Sequence, residues 1–252
     1  MHKYLQIIKA YAFTVLNSVL FIGVLYCSIL YAQHINLFTQ EKMVVLGNDF
    51  VEKNTILDAM NLNGKESIFS YNLSELQNNV ESIEFVKSAK VSRILPSTLM
   101  IEVYERDPMI LVVLEDEKYF FDVEQTPLLA SKSAINFFPV PIMTFTVDDP
   151  INLGDFELTK ALRFASKSKK LHNELYENLS EVIFENNNLS LITDDQTKID
   201  LGEDGFIYKI SILKEFQHTI EDKRSLYDYS YVDLKIDNQI IVRERNRIRK
   251  KR

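Results

Sequence analysis

The chain of 252 residues has a single cysteine, Cys27, and it lies in an apolar run near the amino terminus. Everything after that run is without a thiol, which excludes a disulfide framework and cysteine catalysis there. Only six glycines occur, so there is little material for the loops that cradle phosphates or shape active sites. The histidines, His2, His34, His172 and His218, are scattered with no H-E-x-x-H or other ligand spacing. No G-x-S-x-G or phosphate loop is present. Two acidic pairs, Asp148-Asp149 and Asp194-Asp195, read as turns: Pro150 follows the first, and the second separates two strand-like runs. Three N-L-S sequons, at Asn72, Asn178 and Asn188, read as caps and turns. The residues point to no catalytic, metal or cofactor site.

Charge is missing from Ala10 to Gln40, apart from His34 if protonated. Within that stretch Tyr11 to Ala32 is a mostly apolar run. As a helix it would be about 33 Å long, enough for a hydrocarbon core of about 30 Å. A cleaved signal peptide has a shorter apolar region and small residues before the cut; Leu30, two before Ala32, is not small. The run therefore reads as an uncleaved transmembrane anchor. Lys3 and Lys9 precede it, while Glu41 and Lys42 cancel after it. The positive-inside rule then leaves residues 1–10 in the cytoplasm and sends 41–252 across.

The net charge is −7, with +2 before residue 41 and +6 over the last ten residues, so residues 41–242 carry −15. An acidic body argues against a nucleic-acid partner. Within the ending RERNRIRKKR, residues 244–252 read as a basic disordered tail, open to solvent, anionic lipid or an acidic partner.

Periodicity gives the exported part its order. After a spacer at 33–41, Lys42 to Leu46 reads as a strand closed by Gly47-Asn48. Asp49 with Glu52 has capping-box spacing, and Ile56, Leu57 and Met60 share a helix face that Asn63-Gly64 ends. Ser74 with Gln77 repeats the spacing before Leu76, Val80 and Ile83. Glu84 to Leu95 reads as a strand whose alternation slips once; Pro96-Ser97 turns the chain, and Leu99, Ile101 and Val103 return it. Glu105 to Pro108 then interrupts pairing, because proline cannot donate to a ladder, and marks a seam between two domains. Beyond it a second apolar run, Met109 to Leu114, begins at once and Asp155–Leu171 reads as a helix, while Lys118–Val123 with Pro127–Leu129, and Pro139–Phe145, carry part of the resemblance given below. Strands at 181–185, 189–193 and 198–201 and a helix at 207–220 follow, and a hairpin closes the chain. The expected fold is α+β: a transmembrane helix, a βααββ domain at 42–107, and a mixed α/β domain at 108–243 with an extended, mostly antiparallel sheet.

With that order, particular residues carry a resemblance. Gly47-Asn48, Gly64, Leu73, Leu76, Phe85-Val86, Ala89, Val91, Arg93 and Pro96 precede an ending P-x-T-L-x-I-x-V-x-E-R-x-P, at Pro96 to Pro108. This segment resembles the POTRA domain of the FtsQ/DivIB cell-division family. Tyr231 to Lys235 and Gln239 to Arg243 resemble the closing hairpin of its β domain. The resemblance implies a non-catalytic, single-pass protein of the bacterial inner membrane, sited at the division septum. It implies as partners membrane-anchored coiled-coil division proteins of the FtsB and FtsL type, and other septal proteins through the POTRA domain.

The candidate contact is the last strand, with Lys235, Ile236, Asn238, Gln239, Ile240, Ile241, Val242 and Arg243. Residue chemistry alone leaves open whether an apolar edge without proline is covered by the chain's own elements or kept for a partner's strand. The resemblance implies the second. Ile236 stands where the family commonly has an aromatic, Asn238-Gln239 replaces a glycine pair, and Glu244 stands where some members carry an aromatic. A rival reading is a POTRA-bearing transport or outer-membrane assembly factor, which would need a β-barrel. An exported enzyme lacks the residues.

Overall fold

A computed structural model describes residues 2–62, 66–114, 117–146, 155–185 and 188–245, with side chains except at 2–10, 114, 146 and 155–157. The chain divides into two compact units, Met1–Glu105 and Arg106–Arg252.

The first unit opens with α1, His2–His34. Its stretch Tyr11–His34 is long and apolar enough to cross a membrane. Residues read as a cytoplasmic terminus thus continue the same helix. Strand β1 (Lys42–Leu46) is followed by α2 (Lys53–Ala59), α3 (Leu73–Glu81), β2 (Val86–Ile94) and β3 (Thr98–Glu105). The three strands lie in the order β1-β3-β2, with β1 parallel and β2 antiparallel to β3. The alternation of β3 holds: Leu99, Ile101 and Val103 are buried, as are Ile56 of α2, Met60 after it and Val80 of α3. Each such side chain contributes about 1.5–3 kcal/mol relative to exposure. The slip in β2 is a register shift between Val86 and Ser88, which lets Val86, Ala89 and Val91 all be buried.

Both capping boxes expected from spacing are absent. Glu52 and Asn72 occupy the N-cap positions of α2 and α3, and neither makes a side-chain cap. The acceptor ahead of α2 is instead Glu105, whose carboxylate receives the N–H groups of Phe50 at 2.9 Å and Val51 at 2.8 Å. Gln77 donates to Glu81, and Glu81 accepts from Ala89 N–H on β2. These hydrogen bonds hold the Glu81 carboxyl below its ordinary range. Helix α2 ends at Met60, with Asn61 left-handed at φ 46°; the expected stop, Asn63-Gly64, lies outside the described residues.

The second unit begins two residues before the boundary read from sequence. Arg106 donates to Asp122 at 2.7 Å, Thr126 at 3.1 Å and Glu124 at 3.2 Å, and Lys169 reaches Asp107 at 2.8 Å. Burial pushes the Asp122 carboxyl up, but the N–H groups of Thr126 and Glu124 and the Arg106 guanidinium outweigh it and hold it low. The strands are β4 (Pro108–Leu114), β5 (Glu117–Asp122), β6 (Pro127–Leu129), β7 (Ile142–Thr146), β8 (Leu179–Glu185), β9 (Asn188–Thr193), β10 (Lys198–Gly202), β11 (Tyr229–Asp233) and β12 (Ile241–Glu244). Pro108 is the first residue of its strand, where a missing donor is tolerated.

These nine strands form one sheet, ordered β12-β11-β10-β9-β8-β7-β4-β5-β6. Five pairings are antiparallel; β4–β7, β7–β8 and β10–β11 are parallel. Helices α5 (Asp155–Leu171), α6 (Asn173–Glu177) and α7 (Phe206–Ile220) share one core with the sheet, joining Phe164, Leu175, Ile210 and Leu213 to Ile110, Val182, Leu191, Ile199 and Val232. Helix α4 (Lys132–Phe137), capped by Ser131 accepting from Ala134 N–H, brings Phe138 onto Phe120. The pair Asp148-Asp149 lies outside the described residues, and Asp194-Asp195 forms the β9–β10 turn.

Candidate functional site: a free sheet edge

Strand β12 sits at the end of the nine-stranded sheet and pairs antiparallel with β11 on one side; among the described residues nothing pairs on the other. It is shorter than the sequence suggested. Only Ile241, Val242, Arg243 and Glu244 are strand, so Lys235, Ile236, Asn238, Gln239 and Ile240 belong to the connection before it. The turn itself is centred on Asp237-Asn238, with Gln239 N–H donating to Ile236 O at 3.2 Å and Asn238 left-handed at φ 59°. Asparagine tolerates that conformation better than most residues, which is how the chain reverses here without glycine. Ile240 packs against the core, whereas Ile236 and Ile241 are about half exposed, at 52% and 49%.

The direction of the backbone groups along β12 follows from two bonds. Arg245 N–H donates to Asp228 O at 2.8 Å, and Arg243 O accepts from the Ser230 hydroxyl at 3.3 Å. Both partners are on or next to β11, so residues 243 and 245 face inward. The irregularity in this pair lies between Tyr229 and Tyr231 of β11, leaving β12 itself uninterrupted. Strand alternation then turns Ile241 inward as well, and points the N–H and C=O groups of Val242 and Glu244 away from the sheet. Side chains alternate too. Ile241 and Arg243 stand opposite Asp233 and Tyr231, and Val242 stands opposite buried Val232.

Both ends of the hairpin are held. At its base Tyr231 donates to Asp200 at 2.6 Å and to Asp233 at 3.1 Å, Ser190 donates to Asp200, and Lys235 bridges Asp233 at 3.4 Å and Asp200 at 3.7 Å. Burial pushes the Tyr231 hydroxyl up, helped by its bond to Asp200. Burial also pushes Asp200 up, but the Ser190 and Tyr231 hydrogen bonds and the charges of Lys198 and Lys235 hold it below the usual carboxylate range. At the other end Glu244 pairs with Arg224. The Arg245 guanidinium donates to Thr197 Oγ1 at 3.1 Å and Tyr229 O at 3.2 Å. Thr197 is fully buried and itself donates to Tyr229 O at 2.8 Å.

Sequence reading missed Arg245, Arg224 and Thr197. It assigned 244–252 to a disordered tail, yet Glu244 is strand and Arg245 is anchored; 246–252 lie outside the described residues. Truncating the anchor has an expected outcome. Arg245→Ala removes a charge-assisted contact and should raise exchange of the inward amides of Ile241 and Arg243 about tenfold, a loss of about 1.4 kcal/mol, leaving the first unit unchanged. Mass-spectrometric hydrogen exchange on the full chain checks it, and Arg245→Lys should recover part of the protection.

Chemistry other than pairing has little to work with. Among the described residues no group of three or more His, Cys, Asp or Glu side chains is placed to hold a metal ion. His172 is buried against Gln217, and His218 is paired with Glu221, which holds its imidazole above the usual range. A polar cleft of about 550 Å³ at the hairpin's base is lined by Gly202, Glu203, Lys209, Lys235 and Asp237. Lys209 is buried there and donates to Leu201 O at 2.6 Å.

Comparison with known proteins matches residues 38–106 to the POTRA domain, FtsQ-type. The chain is 31% identical over 126 residues to the "Cell division protein FtsQ" of Rickettsia bellii, covering 50% of this chain and 45% of that protein. It is 24% identical over 227 residues to FtsQ of Koribacter versatilis, covering 84% and 63%. It is 22% identical over 177 residues to the "Cell division protein DivIB" of Clostridium tetani, covering 65% and 66%. The matched segment thus spans about half the length of the Rickettsia bellii protein.

Proposed function

We propose, from the chain's membership of the FtsQ/DivIB family of cell division proteins, that it is a non-catalytic scaffold recruiting other septal membrane proteins by β-strand addition at β12. The supporting observation is the outward pair of backbone positions, Val242 and Glu244, on an edge that nothing else in the described chain covers. A partner strand laid there would gain affinity from main-chain hydrogen bonds and specificity from alternate side chains. Ile241 and Arg243 would meet it on one face, Val242 on the other. The partner class is a membrane-anchored coiled-coil pair of the FtsB and FtsL type, and the POTRA domain is a second docking module.

The anchor α1 confines the search for that partner to the membrane surface. Its charge flanks favour a cytoplasmic amino terminus with both folded units on the other side of the membrane, and on the proposed reading the site of action is the division septum. The assembly-factor alternative has less support. Such a factor needs a closed barrel, and here the second unit is an open sheet with two ends, β12 and β6.

A membrane pull-down with the full chain tests the proposal. The expected result is co-purification of small coiled-coil division proteins anchored in the same membrane. Recovery of barrel proteins, or of no division protein, overturns it and moves the assembly-factor reading forward.

A further inference from the structure

The anchor helix carries one polar side chain that the scaffold reading leaves unused. Over Tyr11–His34 the Thr and Ser hydroxyls satisfy their donors on their own helix: Thr14 to Tyr11 O at 2.8 Å, Ser18 to Thr14 O at 2.9 Å and Ser28 to Val24 O at 2.9 Å. Asn17 differs. One amide hydrogen goes to Phe13 O at 3.0 Å, while the other, and the amide oxygen, have no partner among the described residues. Its side chain is exposed, and Asn17 lies six residues, or about 9 Å, inside the apolar run. An asparagine side chain is too short to reach the interface from that depth. A bare amide donor and acceptor in hydrocarbon is unfavourable by several kcal/mol, so such groups find a partner on a neighbouring helix.

We infer that α1 self-associates as a parallel pair through Asn17. The inference rests on the reading of α1 as a membrane anchor, and on nothing at β12. What identifies the occupant as a second copy is the chemistry of the amide. It offers one donor and one acceptor, and is therefore complementary to itself. Every copy enters the membrane in the same direction, so the same residue of a second copy lies at the same depth. A twofold axis along the membrane normal brings both amides together and satisfies both. The neighbours agree with this placement. Thr14, Asn17, Phe21, Val24, Ser28 and Tyr31 follow a seven-residue repeat of the 3-4 kind, the seam of a left-handed helix pair. Small Thr14 and Ser28 let the backbones approach on that seam. The opposite face, around Val15, Val19 and Ile22, is bulky and apolar, as lipid contact requires.

The chain's only cysteine makes the test clean. In a full-length Cys27→Ala background, Ser28→Cys places a thiol on the seam, and Val19→Cys places one half a helical turn away. Purified chains are reconstituted in lipid vesicles and oxidised, and disulfide-linked dimer is quantified. Seam pairing predicts dimer from Ser28→Cys well above that from Val19→Cys. Adding Asn17→Leu should lower it by roughly three- to fifteenfold, the range that polar contacts between membrane helices give. Asn17→Gln, which keeps the amide, should retain it. Equal cross-linking from both faces overturns the inference, as does a Ser28→Cys dimer indifferent to Asn17→Leu. Preferential linkage to a different protein in native membranes also overturns it. Release of the chain by alkaline carbonate would instead refute the anchor itself, which separates the two failures.

Discussion

A full chain carrying Val242→Pro loses its strand-pairing partner while its second unit stays folded; the same change one residue earlier, Ile241→Pro, damages the hairpin instead. The contrast follows from which way each N–H points. Val242 faces outward, so proline there leaves the β11–β12 ladder intact. It deletes a donor that a partner's carbonyl would need and puts a ring where that backbone would lie. Losing one hydrogen bond contributes about 1 kcal/mol and the ring adds a clash, so affinity should fall at least about tenfold. Ile241 faces β11, opposite Asp233. Proline at that position loosens the strand on its own sheet, and exchange of the inward amides of Arg243 and Arg245 should rise even without a partner. Pull-down of the two variants, with hydrogen exchange on each, separates the cases. Retention of the partner by Val242→Pro and its loss from a folded Ile241→Pro would place the contact somewhere other than this edge.

What made the edge only partly legible in the sequence is instructive. Ile236 and Ile240 to Val242 are β-rich and suggest one long strand from Lys235. Local preference could not reveal that Asn238 takes a left-handed conformation and ends that run. Nor could it separate Ile240, which belongs to the core, from Ile241, which does not. Arg245 was lost for a different reason. A run of basic residues reads as solvated, and the buried hydroxyl that makes this one different, Thr197, is 48 residues away in the chain. The two missed helices, α4 and α6, have six and five residues, too short for a 3.6-residue period to register.

Local spacing also misled at helix starts. Asp49 and Glu52 sit where a capping box would, but Glu105 reaches the N–H groups between them, of Phe50 and Val51, from the end of β3. A charged acceptor brought in by tertiary structure displaced the local one. By contrast β3 and α5 were read within a residue or two, since one strongly patterned face leaves each a single way to bury its apolar side chains.

The central position of β3 makes Gly47→Ala a damaging substitution in the first unit. Gly47 ends β1 with φ at +78°, a conformation that disfavours any side chain. An added Cβ would also lie 2.2 Å from Val103 O. That oxygen cannot retreat, because β3 is the central strand, paired with β1 on one side and β2 on the other. Moving β1 away instead would break the parallel register from Lys42–Thr98 to Leu46–Glu102. Backbone strain alone is worth about 1–3 kcal/mol, and the clash raises the expected loss to about 3 kcal/mol or more. For a domain this small that is a large fraction of its stability. Hydrogen exchange on the full chain should show protection lost across α2, α3 and β1–β3, with Ile56, Val80 and Ile101 amides among those opened. Amides of the second unit serve as the internal control. Protection of the first unit equal to wild type would mean that β1 can shift without cost, and that the close approach at Val103 does not fix its place.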